Sequence, residues 1–227
     1  IVLQIRKDKR MKPEINPNLK EVLEWAYCII IAVILALLVK YYIGIPTVVQ
    51  QVSMYPTLIE NQRLILDRTV RTFHRELKRG DIVTFESPST IKMTSYEANF
   101  DNPVAKYEKE PQGLWARFVY YVLETNKDSY IKRVIGIAGD HVKIENGKVY
   151  LNGEELQEEY LQPGIETKAE HGEVFLDVVV PEGCVFLMGD NRPKSTDSRA
   201  FGCIPLEKIE SRVLIRFWPL NLFGKVD

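Results

Sequence analysis

The stretch HVKIENGKVYLNG, residues 141–153, decides the fold class of most of this chain. Its two runs of alternating apolar and polar residues flank Asn146-Gly147, a dipeptide that strongly signals a two-residue β-hairpin turn. Further runs of β-branched or alternating residues, mostly bounded by Gly, Asn, Asp or Pro, occur along the chain: RLILD, DIVTFE, YIKRVIGI, VFLDVVV, CVFLMGD and RVLIRFW. The pattern predicts a mainly β, antiparallel domain.

A long apolar run precedes these strands. Residues 25–39 read WAYCIIIAVILALLV without a charge, and KYYIGI extends the run to residue 45. About 20 apolar residues span a ~30 Å hydrocarbon core, so we expect a single transmembrane helix over residues 22–45. A buried helix of a soluble protein would show an amphipathic stripe, which this run lacks. A cleavable signal peptide would end in a small-x-small site, which GIPTVVQQVS lacks.

Basic residues are unevenly distributed around this run. None lies between Lys40 and Arg63. Six precede it: Arg6, Lys7, Lys9, Arg10, Lys12 and Lys20. The positive-inside rule therefore predicts a cytoplasmic basic tail over residues 1–21 and an extracytoplasmic β-rich domain over residues 46–227, anchored in the plasma membrane.

Residues 87–129 form an insertion that breaks the strand pattern. The first part is polar and irregular. The second part, LWARFVYYVLETN, places four apolar residues at helical spacing: Leu114, Phe118, Tyr121 and Val122. We expect a partly helical insertion, either packed with one face on the sheet or docked on lipid through its aromatic residues. The basic residues 63–79 are either a solvated face or a contact with anionic headgroups.

The composition limits the function classes. The chain has 227 residues, 45% of them hydrophobic, and a net charge of −1. The chain is therefore long and apolar enough to form a full hydrophobic core. A nucleic-acid partner is disfavoured, because binding one requires an excess of basic residues on one face. The cysteines Cys28, Cys184 and Cys203 show no metal-ligand spacing, and we expect no metal or cofactor. Cys184 and Cys203 are either a disulfide or two reduced thiols.

A serine follows the apolar run in QQVSMYPTLIENQRL, residues 50–64. The hydroxyl of Ser53 becomes a nucleophile only if a base removes its proton. None of the three histidines, His74, His141 and His171, stands in a pattern that marks a catalytic base.

Lys132, inside the apolar strand YIKRVIGI, is the remaining candidate for this base. Strand alternation puts it on the face of Tyr130 and Val134, with Arg133 on the other face. An ordinary lysine, with a pKa of about 10.4, is neutral in less than about 0.1% of molecules at pH 7. Burial would lower this pKa by disfavouring the ammonium form. An exposed or salt-bridged strand lysine is the alternative.

The loop MGDNRPKSTDSRAFG, residues 188–202, is the third informative stretch. Its Gly, Asp, Asn, Pro and Ser residues are typical of a structured loop between strands, and such loops carry functional sites. We expect an ion pair between Asp197 and Arg199, and a hydrogen bond from Ser195 that orients a neutral amine.

Three motifs, SMYPTL, YIKRVIGIAGD and GDNRPKSTDSR, in this order after an N-terminal anchor, resemble bacterial type I signal peptidases. These are Ser/Lys endopeptidases that remove signal peptides from exported proteins, and the resemblance extends to RFWPLN. It implies that Ser53 is the nucleophile, Lys132 the general base and Ser195 the residue that orients the amine. It also implies that Asp197 and Arg199 brace the loop. Other residues that it assigns to the site are Met54, Pro56, Gly189, Asp190, Asn191 and Arg192.

The resemblance also implies a substrate and a binding mode. The partners would be signal peptides of secretory pre-proteins, bound as an added β-strand with small side chains in pockets, and membrane lipid. We expect a monomer near the protein-export channel. Some relatives have a serine two residues before the nucleophile as an oxyanion donor and many others have glycine, whereas this chain has Gln51. The second donor beside the Ser53 N–H is therefore open.

Two other functions share these features. A self-cleaving Ser/Lys repressor-type protease would use the same chemistry, but it would carry a DNA-binding domain and no anchor. A membrane-tethered protein that only binds signal sequences would have no use for both Ser53 and Lys132. A mitochondrial inner-membrane relative uses the same Ser/Lys pair. The residues of the three motifs resemble the bacterial enzymes more closely, which favours the bacterial plasma membrane.

Overall fold

The computed structural model describes residues 17–125, 127–169 and 172–226. The chain divides into two units, Ile1–Leu38 and Val39–Asp227. Helix α1, Pro17–Tyr42, accounts for the described part of the first unit and continues into the second. Its residues Asn18–Tyr42 form the one helix among the described residues that is long and apolar enough to cross a membrane.

The predicted boundaries of the anchor differ from those of this helix. The helix begins at Pro17, and Gly44 and Ile45, which the predicted span includes, belong to the first strand instead. Most of the predicted tail over residues 1–21 lies outside the described residues, as does His171.

The second unit contains two antiparallel sheets built from eleven strands within the described residues. In chain order the strands are β1 Gly44–Val48, β2 Arg63–Asp67, β3 Ile82–Glu86, β4 Ser129–Ile137, β5 His141–Glu145, β6 Lys148–Leu151, β7 Glu154–Glu155, β8 Asp177–Val179, β9 Cys184–Met188, β10 Ile204–Pro205 and β11 Ile209–Trp218. The large sheet has the order β1-β2-β11-β3-β4-β9-β10 and the small sheet the order β7-β6-β5-β8. The mainly β, antiparallel prediction is confirmed.

The hairpin in the small sheet forms where the sequence predicts it. Glu145 pairs with Lys148, and the two residues between them, Asn146 and Gly147, have φ angles of 51° and 78°. Both values lie in the left-handed region that the favoured two-residue hairpin turns require, and Asn and Gly are the residues that adopt it most easily.

Strand β4 is buried on both faces. Val134 packs in one core cluster and Ile135 in another, and the pairing with β9 shifts register between Val134 and Gly136. Lys132 and Arg133 lie before this shift and point to opposite faces. Both side chains are nevertheless buried, at 2% and 3% exposure, because each face of the strand is covered.

The segment between β3 and β4 contains two short helical elements, and a further short helix, α2, lies between β2 and β3. Helix α2 is Thr69–Thr72, and helix α3, Leu114–Phe118, continues into a π-helical turn at Val119–Leu123. Helical structure in the insertion is therefore confirmed. Helix α4, Ser198–Phe201, lies in the loop between β9 and β10.

Cys184 and Cys203 are buried free thiols. Of the two alternatives for this pair, the structure therefore has the reduced thiols and not the disulfide.

Candidate active site

Ser53 lies in a tight turn that the core holds in place. A 3₁₀ turn, Val52–Met54, follows the extended residue Gln51. Met54 is fully buried in a cluster with Leu58, and the N–H of Leu58 donates to the Met54 carbonyl at 2.9 Å. Pro56 is half-buried directly after this turn. Anchoring Met54 in the core therefore fixes the position of the neighbouring serine.

Asn191 fixes this turn from the opposite loop. Its backbone N–H donates to the Ser53 carbonyl at 3.0 Å, and its side-chain Nδ2 donates to the Val52 carbonyl at 3.0 Å. The two carbonyls flank the Cα of Ser53, so Asn191 restricts the backbone on both sides of the serine.

Gly189 allows the loop to approach this turn closely. A Cβ at position 189 would lie 2.5 Å from the Ser53 carbonyl oxygen and 2.2 Å from Ser195 Oγ. No side chain fits there without displacing the backbone of the turn, which explains the need for glycine.

Lys132 contacts the serine directly. Its Nζ lies 2.8 Å from Ser53 Oγ and donates to the Ile131 carbonyl at 3.0 Å. Burial lowers the pKa of Lys132 to about 8, while the negative charges of Asp197 and Asp190 oppose this shift. With one N–H directed to Ile131, the lone pair of the neutral amine can receive the proton of the serine hydroxyl.

Two buried ion pairs surround this contact. Asp190 binds Arg133 through two hydrogen bonds of 3.0 and 2.8 Å, and Asp197 binds Arg199 through two of 2.8 and 2.9 Å. Burial opposes ionisation of Asp197, but Arg199 and the Gly189 N–H hold the pKa of its carboxyl below the usual value. Such forked pairs fix geometry as well as charge.

Arginine side chains also hold the loop in shape. Arg199 donates to the carbonyls of Arg192 and Ser195, at 2.8 and 3.2 Å. Arg192 donates to the Gly189 carbonyl at 3.2 Å and forms an ion pair with Glu158 from the segment after β7. The expected Asp197–Arg199 pair is present, and it belongs to a larger network.

Two members of this network are missing from the sequence-based site. Arg133 could have been predicted from the sequence, because an arginine inside an apolar strand needs a buried partner of opposite charge. Glu158 lies among other acidic residues in ELQEEY, and nothing in the sequence distinguishes it from a solvated carboxylate.

The expected hydrogen bond from Ser195 to the amine is not present. Ser195 Oγ is buried against Gly189, and among the described residues no hydrogen bond joins it to Lys132 Nζ. The Ile131 carbonyl contacts Lys132 Nζ instead. Arg199 donates to the Ser195 carbonyl and so holds the backbone of Ser195. The side chain of Ser195 then occupies the space that the missing Cβ of Gly189 leaves open.

The described histidines lie elsewhere. His141 contacts the exposed Asp177 at 2.6 Å, and His74 is exposed with a left-handed φ of 48°. Gln51 is also exposed, and its side chain does not cap the turn that holds Ser53.

A groove of about 310 Å³ is lined in part by Gln51 and Ile131, which are close in the chain to Ser53 and Lys132. Two stretches of chain contribute most of its lining: Ile45 with residues 47–51, and residues 129–131. The lining also includes the apolar side chains of Leu64 and Leu66 and four charged residues, Arg68, Glu124, Lys127 and Glu210. β1 is an edge strand, and the pairing of β4 with β9 begins only at Arg133. Strand β1 and residues 129–131 therefore each have a backbone edge that no described strand occupies, so an extended peptide can pair with them.

Comparisons with known proteins agree with one another. The family model "Signal peptidase, peptidase S26" matches residues 22–218. "Signal peptidase I S" of Bacillus subtilis is 33% identical over 223 residues, covering 96% of this chain and 100% of that protein. "Signal peptidase I T" of the same organism is 34% identical, covering 88% and 86%. "Probable signal peptidase I-1" of Synechocystis is 31% identical, covering 87% and 83%.

A crystal structure of a signal peptidase I from Enterococcus faecalis is 26% identical, with a TM-score of 0.39, and covers 62% of this chain and 97% of that one. Because the family model matches most of the chain and the curated relatives align over most of their own length, this chain belongs to the signal peptidase family, peptidase S26.

Proposed function

We propose that this protein is a membrane-anchored serine endopeptidase that removes signal peptides from pre-proteins, with Ser53 as nucleophile and Lys132 as general base. The observation that carries the proposal is the 2.8 Å contact between Lys132 Nζ and Ser53 Oγ. Among the described residues no carboxylate forms an ion pair with this amine, which favours its neutral form.

The proposed reaction has two stages. Neutral Lys132 accepts the proton of Ser53 as Oγ attacks the carbonyl carbon of the scissile bond. Protonated Lys132 then donates to the leaving amine, which yields an acyl-enzyme and the free mature N-terminus. In the second stage Lys132 accepts a proton from water, the water attacks the ester, and Ser53 is released with its proton restored.

The substrate would bind as an extended strand in the groove. Its backbone would pair with the free edges of β1 and of residues 129–131, and the names of the relatives support signal peptides as the ligand class. Small side chains before the cleavage point would allow the peptide to lie close to Ser53. The Ser53 N–H would be one oxyanion donor, and the side-chain amide of Gln51 is our candidate for the second.

The apolar helix α1 would anchor the enzyme in the plasma membrane. The basic residues before it support a cytoplasmic N-terminus and an extracytoplasmic catalytic domain. This orientation would place Ser53 on the side of the membrane where exported chains emerge.

The proposal is tested with the full-length protein in lipid vesicles and a pre-protein that carries an A-x-A cleavage site. We expect one cut, located by N-terminal sequencing of the product, and none with Ser53→Ala or Lys132→Ala. Lys143→Ala, a change to a partly exposed lysine on β5, is the matched control and should keep wild-type turnover. Substantial cleavage by Lys132→Ala would refute the assignment of the base. Binding of the pre-protein without cleavage would favour the tethered binding protein.

A further inference from the structure

Tyr160 lies against the arginine that neighbours the proposed base in strand β4. The guanidinium carbon of Arg133 lies 4.0 Å from the centroid of the Tyr160 ring, so the ring covers one face of the guanidinium group. Arginine stacks in this way because the face of an aromatic ring carries partial negative charge. Tyr160 belongs to the segment between β7 and β8, which none of the three sequence motifs includes. The fold therefore brings a segment from outside these motifs to the strand that carries Lys132.

The edges of the same guanidinium group are also occupied. Nε and Nη2 of Arg133 donate to Asp190 at 3.0 and 2.8 Å, and Nη1 donates to the Gly80 carbonyl at 3.0 Å. Guanidinium hydrogen bonds lie in the plane of the group, whereas the ring of Tyr160 restricts movement out of that plane. Arg133 is 3% exposed, so the ring and the hydrogen bonds together separate its ion pair from water.

The hydroxyl of Tyr160 extends these contacts to the loop of residues 188–202. It donates to Glu158 Oε1 at 2.7 Å, and Glu158 forms an ion pair with Arg192 of the loop. Burial raises the pKa of the Tyr160 phenol above its usual value, so the phenol keeps its proton at physiological pH. Arg192 in turn donates to the Gly189 carbonyl at 3.2 Å. A chain of polar contacts thus leads from Tyr160 to the glycine that packs against the serine turn.

These contacts complete a closed path around the proposed active site. Strand β4 carries Lys132 next to Arg133, and the loop carries Asn191, which holds the Ser53 turn through two hydrogen bonds. Tyr160 reaches both sides of this path, since its ring contacts the strand and its hydroxyl binds the acidic partner of the loop. A displacement of Tyr160 would therefore act on the base and on the turn that carries the nucleophile.

We propose that Tyr160 is a positioning residue for the proposed base: its ring holds Arg133 against Asp190, and its hydroxyl joins strand β4 to the loop. The proposal rests on the proposed function, because it concerns the same reaction. A guanidinium group that leaves its place no longer offsets the carboxylate beside it, and a free carboxylate stabilises a protonated amine. Loss of the ring should therefore impair activation of the serine.

The groups around the amine determine the direction of the effect. Burial lowers the pKa of Lys132 to about 8, and the charge of Asp190 opposes this effect. When Arg133 no longer offsets that charge, the pKa of Lys132 should rise. The titratable and charged groups that face Lys132 are Ser53, Tyr130, Asp190, Asp197 and Arg199. Those that face Tyr160 are Arg133, Glu158, Asp190 and Arg192.

The test is the acid limb of kcat/KM for a soluble signal-peptide substrate, measured with the full-length protein. Tyr160→Leu removes the ring, and we expect the midpoint to rise by about 0.5 pH unit, which lowers kcat/KM at pH 7 about threefold. Tyr160→Phe keeps the ring over Arg133 and should keep the wild-type midpoint. Tyr150→Leu, a change to a half-buried tyrosine of β6 in the small sheet, is the matched control and should also leave the midpoint in place.

A double substitution shows whether Tyr160 acts through Arg133. Arg133→Met alone should raise the midpoint, and Tyr160→Leu added to it should give no further shift. A further shift of equal size would overturn the proposal. An unmoved midpoint in Tyr160→Leu alone would also overturn it, because a residue that only stabilises the fold changes the amount of active enzyme and not the midpoint.

Two further outcomes are distinguishable from these. If Tyr160→Leu does not fold, Tyr160→Met takes its place, because the flexible methionine side chain fills irregular spaces in a core, and the same shift is expected. Failure of the wild type to cleave the peptide would refute the proposed function, whereas wild-type cleavage with an unmoved midpoint in the variant would refute only the role of Tyr160.

Discussion

Raising the pH should activate cleavage of a soluble signal-peptide substrate, because Lys132 must lose its proton before it can accept one from Ser53. Burial of the amine lowers the pKa of Lys132 to about 8. The acid limb of kcat/KM, which reports on the free enzyme, should therefore have its midpoint at about this pH.

The expected size of the change follows from the neutral fraction of the amine. With a pKa of about 8, that fraction is about 1% at pH 6, about 10% at pH 7 and about 50% at pH 8. Activity should rise about 50-fold from pH 6 to pH 8 and level off above about pH 9. A solvated lysine would give about a tenfold rise per pH unit with no plateau in this range, and a histidine base would level off near pH 7.5.

A fluorogenic peptide assay across this range, repeated with Arg133→Met, makes the prediction more specific. Loss of Arg133 leaves Asp190 unpaired, and because the charge of Asp190 raises the pKa of Lys132, the acid limb should move to higher pH. Arg79→Met, which breaks the Arg79–Asp140 pair instead, should leave the limb in place. A wild-type midpoint near pH 6.5, or a rise without a plateau, would refute the buried amine as the base.

Four further substitutions test the surroundings of the site. Gly189→Ala should abolish cleavage, because its Cβ would lie 2.5 Å from the Ser53 carbonyl oxygen, and an active variant in the peptide assay would contradict this. Asn191→Ala removes one hydrogen bond worth about 1 kcal/mol, so kcat should fall about fivefold with KM unchanged. Gln51→Ala should lower kcat by about 10²-fold if its amide stabilises the oxyanion, and full turnover would exclude that role. Lys132→Met should raise the free energy of unfolding at pH 7 by about 3 kcal/mol, because it removes an amine that is costly to protonate in the folded state. The unfolded chain keeps the proton up to a pKa of 10.5, whereas the folded chain releases it at about pH 8. The denaturant concentration at which half of the wild-type protein is unfolded should therefore rise between these two pH values.

The strands and the apolar helix follow from local sequence. Each predicted run contains a strand, because β-branched and alternating residues adopt extended structure between turn residues. The sequence does not reveal the register shift in β4 or the free edge of residues 129–131. Both depend on where β9 begins to pair, which is a matter of tertiary packing and not of local propensity.

The site is less predictable than the fold. Ser53 and Lys132 are 79 positions apart, and no spacing rule brings them together, so their pairing in the sequence-based model depends on the family resemblance. The contact between Lys132 Nζ and the Ile131 carbonyl, and the absence of one from Ser195, depend on the side-chain rotamers in the packed site. Residue type does not determine these rotamers, because a buried hydroxyl can point toward any neighbouring atom.

The arginines around Lys132 explain why its pKa can be low in a site that contains two carboxylates. Asp190 and Asp197 would each hold the lysine protonated if they were free, yet Arg133 and Arg199 bind both oxygens of each. Arginine keeps its charge at any physiological pH, so the pairs stay intact whichever form Lys132 takes. A lysine in either position would be a second titrating amine. Desolvation is the largest effect on the pKa of Lys132 and lowers it, while Asp197 and Asp190 still raise this pKa and Arg199 lowers it. The chain therefore retains two costly buried ion pairs where a neutral amine is needed.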